Sequence, residues 1–189
     1  MKIVVDSHVH VLPDRLSSLV PESSRERVQS LRRNARSWLK PLTGSMHRVQ
    51  TMFRHLPDAA RKPIDQLSGF APLPGLLVES TPTDLREMMK ASGVHYSVVI
   101  AHPPMIENEF VLDLCSEDPS LIAAVNIPAG TARPGQVLKK YAARGAKILK
   151  IHPASDGEGV DSARYKALIK TADELGLPVI IHTGCIHTH

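Results

Sequence analysis

Short apolar runs rich in β-branched residues recur along this chain, and most are followed by stretches whose apolar positions fall three and four residues apart. The first run, Ile3-Val4-Val5, leads into Asp6-Ser7-His8-Val9-His10. After residue 80 the alternation becomes regular. Thr81 is placed to cap a helix with Pro82 in its first turn, Leu85, Met88 and Met89 form the apolar stripe, and Gly93 ends it. A strand is predicted over 96–102, then a helix through Phe110, Val111 and Leu114, then a strand over 121–128. A third helix starts near Pro134, buries Val137, Leu138 and Tyr141, and stops at Gly145, where a fourth strand runs to Pro153. The last helix runs from about Ser162 to Gly176 and delivers a fifth strand over 177–183.

Buried β-rich runs separated by amphipathic helices imply parallel strands covered on both faces. Two closures satisfy that pattern, an open doubly wound sheet and a (β/α)8 barrel of the TIM type. A doubly wound sheet usually places a glycine-rich phosphate loop after its first strand, whereas here that position holds His-x-His. Polar residues at the C-terminal ends of several strands favour the barrel. The expected fold is therefore a (β/α)8 TIM-type barrel, incomplete, since five βα units are legible where a full barrel needs eight and about 250 residues. The 189 residues are read as a single partial-barrel domain with a helical insertion after the first strand, over 14–74. A sheet left open at strands one and five invites pairing with another copy, so a homo-oligomer is one expected state.

Charge belongs mostly to that insertion. Of the 23 Lys and Arg and 19 Asp and Glu, ten basic and only three acidic residues lie between Glu22 and Lys62, so the remainder is mildly acidic. Val28, Leu31, Ala35, Trp38 and Leu39, then Val49, Met52, Phe53 and Leu56, suggest two amphipathic helices broken near Pro41 and Gly44. A charge run of this kind usually solvates a helix face, and no nucleic-acid partner is inferred; a lid attracting anionic substrates is the functional alternative. No apolar run reaches the roughly 18 residues of a membrane span, and the N-terminus enters a strand without signal-peptide architecture. With two cysteines, too few for a disulfide framework, the expected location is the cytoplasm. Cys115 reads as a core residue on a helix.

The chemistry concentrates at the strand ends. Side chains two apart on a strand point the same way, so His8 and His10 are expected to share a face, with Asp6 behind them. The pattern recurs in Gly145-Ala146-Lys147-Ile148-Leu149-Lys150-Ile151-His152-Pro153 and in Leu177-Pro178-Val179-Ile180-Ile181-His182-Thr183-Gly184. Histidine is the commonest metal ligand, yet each of these residues also has an ordinary structural reading as a strand-end polar group. Lys150 and His152 share parity and are expected at the barrel mouth.

These three motifs, in this order, resemble those of the amidohydrolase superfamily, and more narrowly the amidohydrolase-related group that includes aminocarboxymuconate-semialdehyde decarboxylase and related hydrolases, lactonases and hydratases. The resemblance implies that His8, His10 and His182 are metal ligands, with a divalent ion, zinc or else manganese, as cofactor. It places Lys150 where some members carry a carboxylated lysine; an ordinary cationic lysine that meets a substrate carboxylate is the alternative. The group's sixth-strand histidine and last-strand aspartate would fall beyond residue 189.

Three imidazoles and one carboxylate leave a coordination position open for water, as catalytic zinc requires. The function implied is that of a metal-dependent hydrolase acting through metal-activated water on an amide, ester or lactone, with Lys150 and His152 as catalytic candidates and a small carbonyl or carboxylate compound as substrate. A non-oxidative decarboxylase is the alternative within the group. A catalytically dead truncated barrel serving as a binding module is the alternative outside it. His102 before Pro103 reads equally as a packing residue, and His187 and His189 as disordered terminal residues.

Overall fold

The computed structural model describes residues 2–14 and 81–183, with Ser23, Ser30 and Pro57. The helical insertion expected over 14–74 thus lies, apart from Asp14 and those three positions, outside the described residues, as do Cys185, His187 and His189. The chain divides into two compact units, one of residues 1–11 and 85–184, the other of residues 12–84 and 185–189. In the second, Thr81 and Asp84 form a reciprocal cap, the Thr81 hydroxyl donating to the Asp84 carboxylate at 2.6 Å while the Thr81 backbone N–H does so at 3.1 Å.

The first unit is a single parallel sheet of β1 (Val5–Val9), β2 (Tyr96–Ile100), β3 (Leu121–Asn126), β4 (Ile148–Ile151) and β5 (Val179–Ile181), paired in sequence order. A doubly wound sheet reverses its strand order at a switch point. Here every strand adds beside its predecessor, so the sheet curls one way into an incomplete TIM-type barrel. The connections are α1 (Pro82–Ser92), α2 (Asn108–Glu117), α3 (Pro134–Ala143), the single turn α4 (Pro153–Asp156) and α5 (Ala163–Glu174). Among the described residues no helix is long and apolar enough to cross a membrane.

Glycine sets two of the helix-to-strand handovers. Gly145 and Gly176 follow α3 and α5 with φ of 105° and 65°, which a residue without Cβ adopts at little cost. The Ala146 and Leu177 N–H groups then reach back to the Tyr141 and Ala172 carbonyls at 3.0 and 2.8 Å, closing each helix as the chain turns into the next strand.

Register sorts the side chains into layers. Ile100 pairs with Ala124 and Ala124 with Ile148; one step further on, Asn126 pairs with Lys150 and Lys150 with Ile180. Paired residues on parallel strands share a face, so Val98, Ile100 and Ala124, with Ile122, Ile148 and Ile180 packed against them, form the concave core. The alternate residues Val99, Ala101, Ala123, Val125, Leu149 and Ile151 are wholly buried on the helix side. Two residues beyond Ile100, Lys150 and Ile180 come His102, His152 and His182. The apolar layers therefore end in a polar rim at the strands' C-terminal ends.

β1 departs from simple alternation. Asp6 pairs with Ser97 but Val9 with Val99, so one extra residue is accommodated between them as a bulge. Asp6 and Val9 both take the helix-side register, which corrects the expectation that Asp6 stands behind the two histidines on their own face. A period of two holds only while pairing is unbroken. Instead the Asp6 carboxylate accepts the His8 backbone N–H at 3.2 Å and supports the bulge.

Candidate functional site

Five imidazoles form a contiguous arc at this rim. Ring centroids lie 5.0 Å apart for His8 and His10, 6.2 Å for His10 and His102, and 5.1 Å for His102 and His152; His152 and His182 stack at 3.9 Å, nearly parallel. The side chain of Lys150 rises among them from the layer below and is almost wholly buried.

Hydrogen bonding assigns the tautomers of two rings. His10 Nδ1 lies 3.1 Å from the Ile100 carbonyl, which only accepts, so Nδ1 carries the hydrogen and Nε2 keeps its lone pair. That Nε2 sits 3.2 Å from His8 Nε2. Two imidazole nitrogens bound at about 2.0–2.1 Å to one tetrahedral ion would stand roughly 3.3 Å apart, so the His8–His10 pair fits two adjacent metal ligands. His152 has the opposite arrangement. Its Nδ1 accepts the Ser155 backbone N–H at 3.2 Å, capping α4, so in the neutral ring Nε2 carries the hydrogen and acts as a donor. His182 stacks on His152, and among the described residues no group of three or more His, Cys, Asp or Glu side chains is arranged around one ion position.

Burial favours the neutral form of His8, His10, His102 and His152. His10 is pushed down to about 4, first by burial and then by the charges of His8, His102 and Lys150, against the opposing pull of its bond to Ile100. His152 is likewise pushed down to about 4, by burial and then by His182, His102 and Lys150. His8 and His102 are lowered by burial first and by Lys150 next, and Lys150 is itself lowered by burial. Near neutral pH these four imidazoles are thus uncharged, the form that binds metal, around the buried Lys150 side chain.

The loop after β4 is held from behind. Asp156 accepts Arg164 Nη1 at 3.0 Å and the Tyr165 hydroxyl at 2.6 Å, while Arg164 Nη2 also donates to the Ile127 carbonyl. Burial and then Asp156 push the Tyr165 phenol up to about 12, keeping it protonated and donating. Replacing Tyr165 by Phe is expected to cost roughly 1.5 kcal/mol in urea unfolding, the worth of a hydrogen bond to a charged group that retains its other partner; an unchanged midpoint would refute this role.

The sequence motifs brought His8, His10, Lys150, His152 and His182 to one rim. They undervalued His102, which bridges the two halves of the arc, and passed over Asn126, buried on the concave face beside Lys150. The His102-Pro103 dipeptide, parallel to His152-Pro153, was the available signal for the first. Cys115 is not part of the site. It lines a cleft with Leu112, Leu121, Arg144 and Lys147 against the N-terminal end of β3, and burial followed by Asp118 pushes its thiol up to about 12.

A family model described as amidohydrolase matches residues 5–189. The chain belongs to the amidohydrolase family. Members of this family are metal-dependent enzymes. Among solved structures, a 5-carboxyvanillate decarboxylase point mutant from Novosphingobium aromaticivorans, with bound manganese and 3-methoxy-4-hydroxy-5-nitrobenzoic acid, is 14% identical with a TM-score of 0.56, over 96% of this chain and 51% of that one. A protein described as a probable 2-pyrone-4,6-dicarboxylic acid hydrolase from Acinetobacter baumannii, with citric acid bound, is 12% identical with a TM-score of 0.52, over 96% and 50%. This amidohydrolase chain spans about half the length of both. At these identities the likeness shows the fold alone. No curated protein matches the chain.

Proposed function

We propose that this chain carries the metal-binding half of a metal-dependent hydrolase acting on a carbonyl-type substrate, an amide, ester or lactone. The observation that carries the reading is the 3.2 Å approach of His8 Nε2 to His10 Nε2 with the His10 tautomer set by Ile100. Zinc suits two imidazoles, and manganese is the alternative. His182, which ends the same arc stacked on His152, is the proposed third ligand. Bound there, a divalent ion would polarise a substrate carbonyl and acidify a water molecule.

The remaining work falls to the chain's own donors. Lys150 offers an ammonium at the floor of the mouth, and His152 Nε2–H offers a neutral donor above it. Both suit the oxygen of a carbonyl or carboxylate. The same donors would orient the carboxylate of a decarboxylase substrate, and the fold likeness to 5-carboxyvanillate decarboxylase makes that the second reading.

Metal content of the full chain, purified after growth with added zinc or manganese, tests the proposal. Near-stoichiometric divalent metal is expected. Metal far below stoichiometry in a chain whose circular dichroism shows the intact sheet would overturn it and favour a binding module.

A further inference from the structure

Asn126 ends β3 with its residue 5% exposed. Its backbone is fully occupied. The Asn108 carboxamide donates to the Asn126 carbonyl at 2.7 Å and accepts the Asn126 N–H at 2.9 Å. Its side chain makes no hydrogen bond to another described residue. Its oxygen and nitrogen are not among the fully buried unpartnered side-chain atoms, which among the described residues are Ser97 Oγ and Arg164 Nε, so the carboxamide is open to water or to a ligand.

Placement narrows the choice of partner. Asn126 has the parity of Ile122 and Ala124 on the concave face and pairs in register with Lys150, so the two side chains rise from adjacent strands about 4.8 Å apart. An ammonium and a carboxamide N–H side by side match the two oxygens of a carboxylate. Beside them on the next strand Ile180 supplies an apolar wall. The Asn108 clamp touches only the Asn126 backbone, so it fixes the strand end while leaving the carboxamide to the mouth.

The geometry points to Asn126 and Lys150 as a two-point carboxylate subsite, in which Asn126 determines specificity for carboxylate-bearing substrates. The assignment rests on the reading of this rim as a substrate site, but not on metal being present.

Benzoate binding to the full chain, stripped of metal and followed by calorimetry at pH 7.5, tests it, with benzamide as the neutral probe. Asn126→Asp places a carboxylate against the ligand and is expected to weaken benzoate at least tenfold, and Asn126→Ala is expected to weaken it severalfold. Both keep the backbone bonds to Asn108, so thermal unfolding should stay close to that of the parent chain. Lys150→Met should weaken benzoate as well, and the Asn126→Ala/Lys150→Met double variant should lose less than the product of the single losses, because one carboxylate is shared. Benzoate affinity within twofold of the parent in both folded Asn126 variants would overturn the subsite, as would benzamide binding as tightly as benzoate. Metal content separates the two readings: an Asn126-dependent benzoate site in a chain that takes up no metal would defeat only the hydrolase proposal, and a metal-loaded chain indifferent to Asn126 would defeat only the subsite.

Discussion

Alanine at His10 is expected to lower zinc affinity at pH 7 by more than about 100-fold, and alanine at His8 to do the same. Loss of a residue that merely supports a ligand typically costs 10- to 100-fold, so removal of the ligand itself should exceed that range. The two Nε2 atoms already stand near the separation that a shared ion imposes, and the Ile100 carbonyl holds the His10 ring with its lone pair facing His8. Little ordering is left for the metal to perform. His102→Ala is the internal contrast. Its ring lies 6.2 Å from that of His10, so its loss should change zinc affinity by less than about threefold, the spread of substitutions away from critical contacts. A competition titration against a chromophoric chelator measures all three. Wild-type affinity in both His8→Ala and His10→Ala would dismiss the metal assignment; equal losses in all three would mean that the arc acts as one packed unit rather than as a ligand pair.

That contrast shows what the linear sequence could and could not reveal. The alternation of strand and helix was legible because the βα units are local: an apolar stripe on each long helix and, after α1, α3 and α5, a glycine with positive φ handing over to the next strand. His8, His10, Lys150, His152 and His182 were legible because they repeat one pattern at strand ends. The β1 bulge was not, since one inserted residue leaves the run of apolar letters unchanged while reversing Asp6. The His152 cap was hidden too. It needs a single helical turn, Pro153–Asp156, too short to show a period. Asn126 matters only beside Lys150 across the ladder, and no spacing along the chain expresses that adjacency.

His152 should also make stability depend on pH in a way that one substitution removes. Its folded-state value is pushed down to about 4 from 6.5, by burial first and by His182, His102 and Lys150 after that. The unfolded chain therefore binds a proton at this ring that the folded chain refuses between those two values, and the contribution present above pH 6.5 is lost as pH falls towards 4. His152 is 6% exposed as a residue, so solvent screens it little, and the loss between pH 7.5 and pH 5 is on the order of 2 kcal/mol, approaching about 3 at pH 4. His152→Asn isolates this term. Asparagine accepts the Ser155 N–H as a helix cap as well as histidine does but does not titrate. The variant forfeits the stack on His182 and should be the less stable chain at pH 7.5, with a gap that narrows or reverses by pH 5. His8, His10 and His102 titrate in both chains and largely cancel in the comparison. Urea unfolding at the two pH values decides: parallel losses in the parent and His152→Asn would mean that His152 is as free to take a proton in the folded state as in the unfolded one.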